Sequence, residues 1–240
     1  MSFKERRPKP ALIAWITAEF GTLAALMSAG LALLAFAAIA DAVMEGGTHR
    51  IDEAVLRAFR NPADPADPLG PRWLEIMFVD ITSLGSTTVL TLISLVVVGF
   101  LVIERKRATA LFVVVSIAGG SALSLALKSG FDRPRPDLVA HLVDVHTLSF
   151  PSGHAMLSAV TYLTLGALLA RSQPNRRIRI YILSVAVLLT LTIGLSRIYL
   201  GVHWPTDVLA GWCVGSAWAL LCWLVALYLQ RKGDIEADEP

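Results

Sequence analysis

Six long stretches of this sequence carry no Asp, Glu, Lys or Arg, and they constrain the fold more than any other feature. They are residues 21–40, 81–103, 108–127, 151–170, 180–195 and 208–230. A helix that rises ~1.5 Å per residue needs about 20 apolar residues to cross the hydrocarbon core of a bilayer. Five stretches reach this length, and the shorter one follows Arg177 and Arg179, whose long side chains can extend it towards the lipid head groups. The sequence therefore predicts an all-α polytopic membrane protein, a bundle of six transmembrane helices, rather than a soluble helical protein.

The composition agrees with this class. Charged residues make up 17% of the chain and apolar residues 55%, whereas a soluble domain has about a quarter of its residues charged. The basic start followed by an apolar run could be a signal peptide, but the run exceeds the ~7–15 residues of a signal h-region, so we expect a retained first helix. We expect one membrane-embedded domain over residues 1–240, with no nucleic-acid binding at a net charge of +2.

The basic residues predict the orientation in the membrane. Of the 21 Lys and Arg residues, thirteen lie at the two termini and in the second and fourth loops, and eight lie in the first, third and fifth loops. Connections rich in Lys and Arg stay in the cytoplasm. We therefore expect both termini to be cytoplasmic and the odd-numbered loops to lie outside.

The first outer loop, residues 41–73, is the largest. Its segment IDEAVLRAFR predicts a short helix in the membrane interface, with one apolar face formed by Ile51, Val55, Leu56 and Phe59. The charged residues expected around that face are Asp52, Glu53, Arg57 and Arg60. NPADPADPLGP then ends the helix. The loop is either a lid over a site at the membrane surface or a plain connector.

Polar side chains gather at one end of the predicted bundle. In an up-and-down bundle, the exit of an odd-numbered helix and the entrance of the next helix share a membrane face. Connectivity alone therefore brings together Lys128, Arg133, Arg135, Ser152, His154, Arg197, His203 and Asp207. This positive charge lies on the outer side, against the positive-inside bias, and it predicts an anion site.

The segment PSGH, residues 151–154, has two interpretations. Ser152 could be a helix N-cap, with Pro151 shaping the turn. A helix N-terminus also offers free N–H groups and a partial positive charge to a phosphate, and Gly153 would let the backbone approach it closely.

The segment SRIYLGVHWPTD, residues 196–207, is more specific. Pro205 suits the first turn of a helix, and Asp207 follows His203 by four residues, near enough to accept the imidazole N–H. This contact would fix the tautomer and leave the other nitrogen to attack or to abstract a proton. Arg197 offers a bidentate partner for a phosphoryl oxygen. The alternative is a helix-capping pair.

A metal site is the competing chemical interpretation, because His and Asp four residues apart can share an ion. Lys128, Arg135 and Arg197 would repel a divalent cation, so we expect no metal and no other cofactor. His141 and His146, in the third loop on the outer side, lack metal-ligand spacing and are expected at the surface.

Three segments together resemble the motifs of the type 2 phosphatidic acid phosphatase family, the membrane lipid phosphate phosphatases. KSGFDRPRP at 128–136 is similar to the K-x6-R-P motif, PSGH at 151–154 to the second motif, and SRIYLGVHWPTD at 196–207 to the third, S-R-x5-H-x3-D. All three are complete and in order within residues 128–207.

The resemblance implies a role for each matching position. His203 would be the nucleophile, oriented by Asp207, and His154 would protonate the leaving oxygen and then activate water. The phosphate would be bound by Lys128, Arg135, Ser152, Gly153 and Arg197. Arg133 lies outside the defining positions, and a structural or headgroup-binding role is open for it.

The implied activity is hydrolysis of a lipid phosphomonoester or diphosphate through a phosphohistidine, without a metal. Undecaprenyl diphosphate, phosphatidylglycerol phosphate, phosphatidate and lipid A phosphates all suit it. The implied location is a bacterial inner (plasma) membrane, with the site facing the periplasm or exterior. Besides the lipid substrate and membrane lipids, no obligate protein partner is expected. The alternatives are a vanadate-dependent haloperoxidase, which shares the motifs but is soluble, and a non-enzymatic transporter or scaffold, which would carry ionisable groups within the spans.

Overall fold

The structure, a computed structural model, describes residues 11–144 and 147–232. Its helices are α1 (Ala11–Met44), α2 (His49–Ala58), α3 (Arg72–Ser83), α4 (Thr87–Ile103), α5 (Arg107–Gly130), α6 (Gly153–Ser158), α7 (Thr164–Arg171), α8 (Arg176–Tyr199) and α9 (Pro205–Lys232). A π-helical segment, Ala159–Leu163, joins α6 to α7. Strands β1 (Arg60–Asn61) and β2 (Asp64–Pro68) form a small antiparallel hairpin in the first outer loop. Residues outside the described ranges include Lys4, Arg6, Arg7, Lys9 and His146, on which predictions were made.

Most of the predicted spans are present as continuous helices. The helices long and apolar enough to cross a membrane are Glu19–Met44, Arg107–Gly130, Gly153–Arg171, Arg176–Tyr199 and Pro205–Gln230. The pair α3 and α4 adds a sixth if it is counted as one span. Large apolar side chains such as Phe20, Leu92 and Leu188 are exposed on the outer faces, as expected where lipid surrounds a bundle. The predicted all-α polytopic membrane class is confirmed, and the count of six stays a prediction.

The predicted second span, residues 81–103, is interrupted in the structure. Helices α3 and α4 meet at an angle of 49°, and Ser86 caps the start of α4. A Cβ atom on Gly85 would collide with the side chain of Ile193 in α8. The close approach of α8 therefore requires glycine at the bend.

Helix α9 runs along α1 and packs very closely against α6 through two glycines one turn apart. A Cβ atom on Gly211 would lie 2.7 Å from the carbonyl oxygen of Ser152. One on Gly215 would lie 2.5 Å from the carbonyl oxygen of Met156 and 2.7 Å from the Cβ of Ala159. Small residues spaced in this way let helix backbones touch. The starts of α6 and α9, which lie within the second and third motifs, are thereby held side by side.

The predicted helix of the first outer loop is present as α2. Leu56 is fully buried and Val55 and Phe59 pack beside it, whereas Ile51 is 65% exposed. Asp52, expected among the charged residues around the apolar face, is 0% exposed, because it is hydrogen-bonded to the start of α9. The interfacial location of α2 stays a prediction.

Arg60, also expected among the charged residues around α2, is 3% exposed. Its Nη1 donates to the carbonyl oxygen of Tyr199 at 2.8 Å, and burial lowers the pKa of its guanidinium. This contact ties the hairpin to the end of α8. Asp52 and Arg60 together pack the first outer loop onto the end of α8 and the start of α9.

Candidate active site

A pocket of about 520 Å³ opens at the polar end of the bundle. Its lining includes the predicted site residues Lys128, Arg135, Gly153, His154, Arg197 and His203. Its hydroxyl-bearing residues come from α3, α4, α5, the turn between α3 and α4, and the loop before α6: Thr82, Ser83, Ser86, Thr87, Ser121, Ser124 and Thr147. No residue of 41–73, all of which are described, lines it. The other two predicted residues, Ser152 and Asp207, are both 0% exposed.

His203 lies between a carboxylate and a guanidinium. Its Nδ1 is 3.3 Å from Asp207 Oδ2, and its Nε2 is 3.2 Å from Arg135 Nη1. Because a guanidinium can only donate, Nε2 must accept and Nδ1 must carry the proton that faces the carboxylate. The predicted contact with Asp207 is thus present, and it leaves the Nε2 lone pair on the side of the pocket.

The surroundings of His203 favour a neutral ring. Burial lowers its pKa well below the ordinary value, and the charges of Arg135, Arg197 and Lys128 act in the same direction. The contact with the Ser149 backbone acts in the opposite direction. A histidine nucleophile needs this neutral form.

Asp207 accepts hydrogen bonds from three separate segments of the chain. Its Oδ2 accepts from Ser149 Oγ and, at 2.9 Å, from the backbone N–H of Trp204, while its Oδ1 accepts from Arg133 Nη1 at 2.6 Å. The contact with Trp204 is one half of a capping box, in which the third helical residue reaches back to the N-cap. Asp207 therefore caps α9 and also contacts His203, so the two interpretations of the sequence do not exclude each other.

Two cations that line the pocket are held by backbone carbonyl groups. Lys128 Nζ donates to Leu148 O at 2.7 Å, and Arg135 Nε donates to Thr147 O at 2.7 Å. Among the described residues, no carboxylate lies within 4.0 Å of either cation or of Arg197. Three positive charges without a direct ionic partner suit a multiply charged anion.

Arg197 and Ser152 carry buried donors that the described protein groups leave unsatisfied. Arg197 is 3% exposed, and its Nη1 donates to Thr82 Oγ1 at 2.9 Å. Its Nε and the Ser152 hydroxyl have no hydrogen-bond partner among the described residues. Such donors cost ~1–3 kcal/mol each when unpaired, and phosphate oxygens would pair with them.

The start of α6 contributes His154 and Gly153. Ser152 occupies the N-cap position, as the sequence suggested, but its side chain makes no capping hydrogen bond. The buried Ser152 hydroxyl therefore accepts no hydrogen bond from the first backbone N–H groups of α6. A Cβ atom on Gly153 would lie 3.4 Å from Lys128 Cε, so glycine keeps the wall of the pocket open beside this ammonium group. His154 lines the same pocket and is half-buried.

Sequence reasoning missed three residues that support the site: Asp52, Thr82 and Ser149. Ser149 lies three residues before Ser152. The signal available in the sequence was a hydroxyl-bearing residue close to the second motif. Thr82 contacts Arg197, and Asp52 contacts Arg133. The partners lie far apart in the sequence, so only the folded structure reveals these contacts. Arg133, whose role was open, does not line the pocket and pairs with the carboxylates of Asp52 and Asp207.

His, Cys, Asp and Glu side chains of residues 11–144 and 147–232 nowhere form a group of three that could hold a metal ion. The pair of His203 and Asp207 is flanked instead by Arg133 and Arg135. His141 is exposed, as expected, and its Nε2 is 2.6 Å from Pro136 O.

Comparison with known proteins identifies the family of this chain. The family model of the PAP2 superfamily matches residues 109–231. Phosphatidylglycerophosphatase B of Bacillus subtilis is 31% identical over 185 residues, which are 76% of this chain and 86% of that protein. Undecaprenyl-diphosphatase of Sulfolobus acidocaldarius is 37% identical over 91 residues, 38% of each protein. The crystal structure of a transmembrane PAP2-type phosphatidylglycerolphosphate phosphatase from Bacillus subtilis matches with a TM-score of 0.76 and 27% identity, covering 85% of this chain and 98% of that one. The family inferred from the three motifs is confirmed: the chain belongs to the PAP2 superfamily.

Proposed function

We propose that this protein is an integral membrane phosphatase that hydrolyses a phosphomonoester or diphosphate of a lipid through a phosphohistidine at His203. One observation carries the proposal. The His203 ring has a buried carboxylate on Nδ1, and its Nε2 lies on the side of a pocket lined by three cations and a second histidine. The relatives named above, phosphatases of lipid phosphates and diphosphates by name, support the same class of substrate.

The first step transfers the phosphoryl group to the protein. The Nε2 lone pair of His203 attacks phosphorus, the bond to the lipid oxygen breaks, and that oxygen takes a proton from His154. The new P–N bond makes the His203 ring cationic, and Asp207 stabilises this charge through the Nδ1 proton. Arg135, now 3.2 Å from Nε2, would turn its donor to a phosphate oxygen when substrate enters.

The second step regenerates His203. The now neutral His154 takes a proton from water, the hydroxide oxygen bonds to phosphorus, and the P–N bond breaks. Inorganic phosphate leaves, and His154 holds the proton for the next leaving group. Lys128, Arg135 and Arg197 stabilise the charge that spreads over the equatorial oxygens in both steps. Fixed cations supply what a metal ion supplies elsewhere, so the reaction proceeds without one.

The place of the site fits a lipid substrate. It lies where helices α5, α6, α8 and α9 end or begin, so a polar head group can enter while its tail stays in the bilayer. The basic residues of the connections support an extracytoplasmic location. A transporter or scaffold is disfavoured because the ionisable groups gather at the helix ends, away from the middle of the spans. The first substrate to test is phosphatidylglycerol phosphate, because the relative of that specificity matches over 86% of its length.

The experiment combines a substrate panel with trapping of the intermediate. The purified protein in detergent should release phosphate from phosphatidylglycerol phosphate, undecaprenyl diphosphate or phosphatidate. With a labelled, activated phosphate, wild type should yield an acid-labile, base-stable label, His203→Ala none, and His154→Ala a label that persists because the base for hydrolysis is gone. The control is His49→Ala, whose side chain is 63% exposed and pairs with Glu53. Label on His203→Ala but not on His154→Ala would assign the nucleophile to the other histidine.

A further inference from the structure

Behind Asp207 lies a chain of alternating charges that reaches into the first outer loop. Arg133 Nη1 is 2.6 Å from Asp207 Oδ1, and Arg133 Nη2 is 2.7 Å from Asp52 Oδ2. The side chains of the two carboxylates are 0% exposed and that of Arg133 is 12% exposed. The order from the pocket outwards is imidazole, carboxylate, guanidinium, carboxylate.

Asp52 also holds the start of α9 directly. Its Oδ1 accepts from the backbone N–H of Thr206 at 3.0 Å, and its Oδ2 accepts from the Thr206 hydroxyl at 2.7 Å. Thr206 precedes Asp207 in the first turn of α9, where a carboxylate also suits the positive end of the helix dipole. One residue of α2 therefore fixes both the backbone next to Asp207 and the arginine that binds it.

The donors of Arg133 are committed to this network. Its Nη1 also contacts Thr206 Oγ1 at 2.8 Å and its Nη2 contacts Thr48 Oγ1 at 3.3 Å. The guanidinium carbon lies 5.5 Å from the centre of the Trp204 ring. Arg133 does not line the pocket, so its part in the reaction runs through Asp207.

We infer that Asp52 is a positioning residue for the reaction: through Arg133 it fixes the Asp207 carboxylate and hence the orientation of His203. This inference rests on the proposed function. Oδ2 of Asp207 contacts the imidazole. The hydrogen bond from Arg133 to Oδ1 therefore prevents the carboxylate from rotating away from His203. Asp52 in turn holds the second arm of the guanidinium and offsets its charge, which leaves the negative charge of Asp207 available to the phosphorylated His203 ring.

Because Asp52 offsets the charge of Arg133, replacing it should shift the pH profile of kcat/KM. A purely structural role would leave that profile unchanged. The charged and titratable groups around His203 are Asp207, Arg135, Arg197, Lys128 and His154, with Arg133 and Asp52 behind Asp207. Asp144 lines the same pocket. Asp52→Asn removes a negative charge, disfavours the imidazolium and moves the acidic limb of kcat/KM to lower pH. Arg133→Gln removes a positive charge and moves that limb to higher pH.

The test uses the full-length protein in detergent with p-nitrophenyl phosphate, whose ionisation is the same for every variant. In Asp52→Asn we expect kcat to fall by about tenfold to a hundredfold with little change in KM, the cost of a misplaced catalytic group. The matched control is Glu53→Gln, the neighbouring acid on α2, which pairs with His49 and Arg57 and has a side chain 28% exposed. It should keep wild-type kcat and the wild-type pH profile.

The outcomes separate the possibilities. Wild-type kcat in folded Asp52→Asn, or a fall in Tm with unchanged kcat and pH profile, would overturn the inference. If Asp52→Asn does not fold, the deciding variant is Arg133→Lys, which keeps the positive charge but cannot bridge both carboxylates. It should have a lower kcat at constant KM. A wild-type kcat in this variant would again overturn the inference. A wild-type protein without activity on any lipid phosphate or on p-nitrophenyl phosphate would mean instead that the proposed function has failed.

Discussion

Replacing Gly215 by alanine should push apart the helix that carries His154 and the helix that begins just after His203. The new Cβ atom would lie 2.5 Å from the carbonyl oxygen of Met156, and ordinary contact begins at 3.4 Å. Helices α6 and α9 must therefore separate by about 0.9 Å, the difference between these two distances. Neither contact can be relieved by a flexible side chain, because the other neighbour is the Cβ of Ala159 at 2.7 Å.

The expected cost has two parts. Overpacking of this kind destabilises a folded protein by about 1–3 kcal/mol. A displacement near 1 Å between groups that act on the same substrate can cost about a hundredfold in rate. We therefore expect Gly215→Ala to lower Tm in detergent and to lower kcat by about tenfold to a hundredfold.

The matched control is Gly99→Ala in α4, where nothing lies within 4 Å of the new Cβ atom. Both variants gain the same helix propensity, ~1 kcal/mol, so the difference between them isolates the collision with α6. The assays are thermal unfolding in detergent and phosphate release from a lipid phosphate. Equal Tm and equal kcat for the two variants would refute the reasoning that α6 and α9 must touch for the two histidines to act together.

Three further results are expected. Activity should survive EDTA and be inhibited by vanadate, because fixed cations stabilise the phosphoryl transition state; loss on chelation that a metal restores would contradict this. The acidic limb of kcat/KM, corrected for ionisation of the substrate, should lie well below pH 6.5. Burial, and then the charges of Arg135, Arg197 and Lys128, lower the pKa of His203 and keep its neutral, nucleophilic form populated as the pH falls. A limb at or above pH 6.5 would show that these cations do not lower the pKa of His203. Reporter fusions should place loops near Arg105 and Arg176 in the cytoplasm, and an exterior C-terminus would reverse the orientation.

The class of fold could be predicted because its cause lies in single helices. Each charge-free stretch satisfies its own backbone within a helix, so its length and composition suffice to identify it. The bend between α3 and α4 could not be predicted in the same way. Residues 81–103 are continuously uncharged, and Gly85 marks a bend only because Ile193 of α8 packs onto it. That contact depends on the packing of the whole bundle.

The meeting of the predicted site residues followed from connectivity, since alternate ends of successive helices share a membrane face. The supporting residues are different, because their reasons are tertiary. Asp52 looked like one of several charges on an amphipathic helix, and only its contacts with Thr206 and Arg133 explain why it faces inwards rather than Ile51. In the sequence, Thr82 is one hydroxyl-bearing residue within an apolar stretch. Only the structure shows that it accepts a hydrogen bond from Arg197.

The supporting contacts also bear on which part of the chain can be exchanged between relatives. The segment that matches the family model, residues 109–231, contains every motif residue, yet Asp52 and Thr82 precede it. A chimera that received this segment alone would bury Arg133 and Arg197 beside a foreign α2 and α3, and a buried charge that loses its partner costs several kcal/mol. The transferable unit is therefore larger than the motif segment: grafts that aim to exchange substrate preference should carry α2 and α3 along with it.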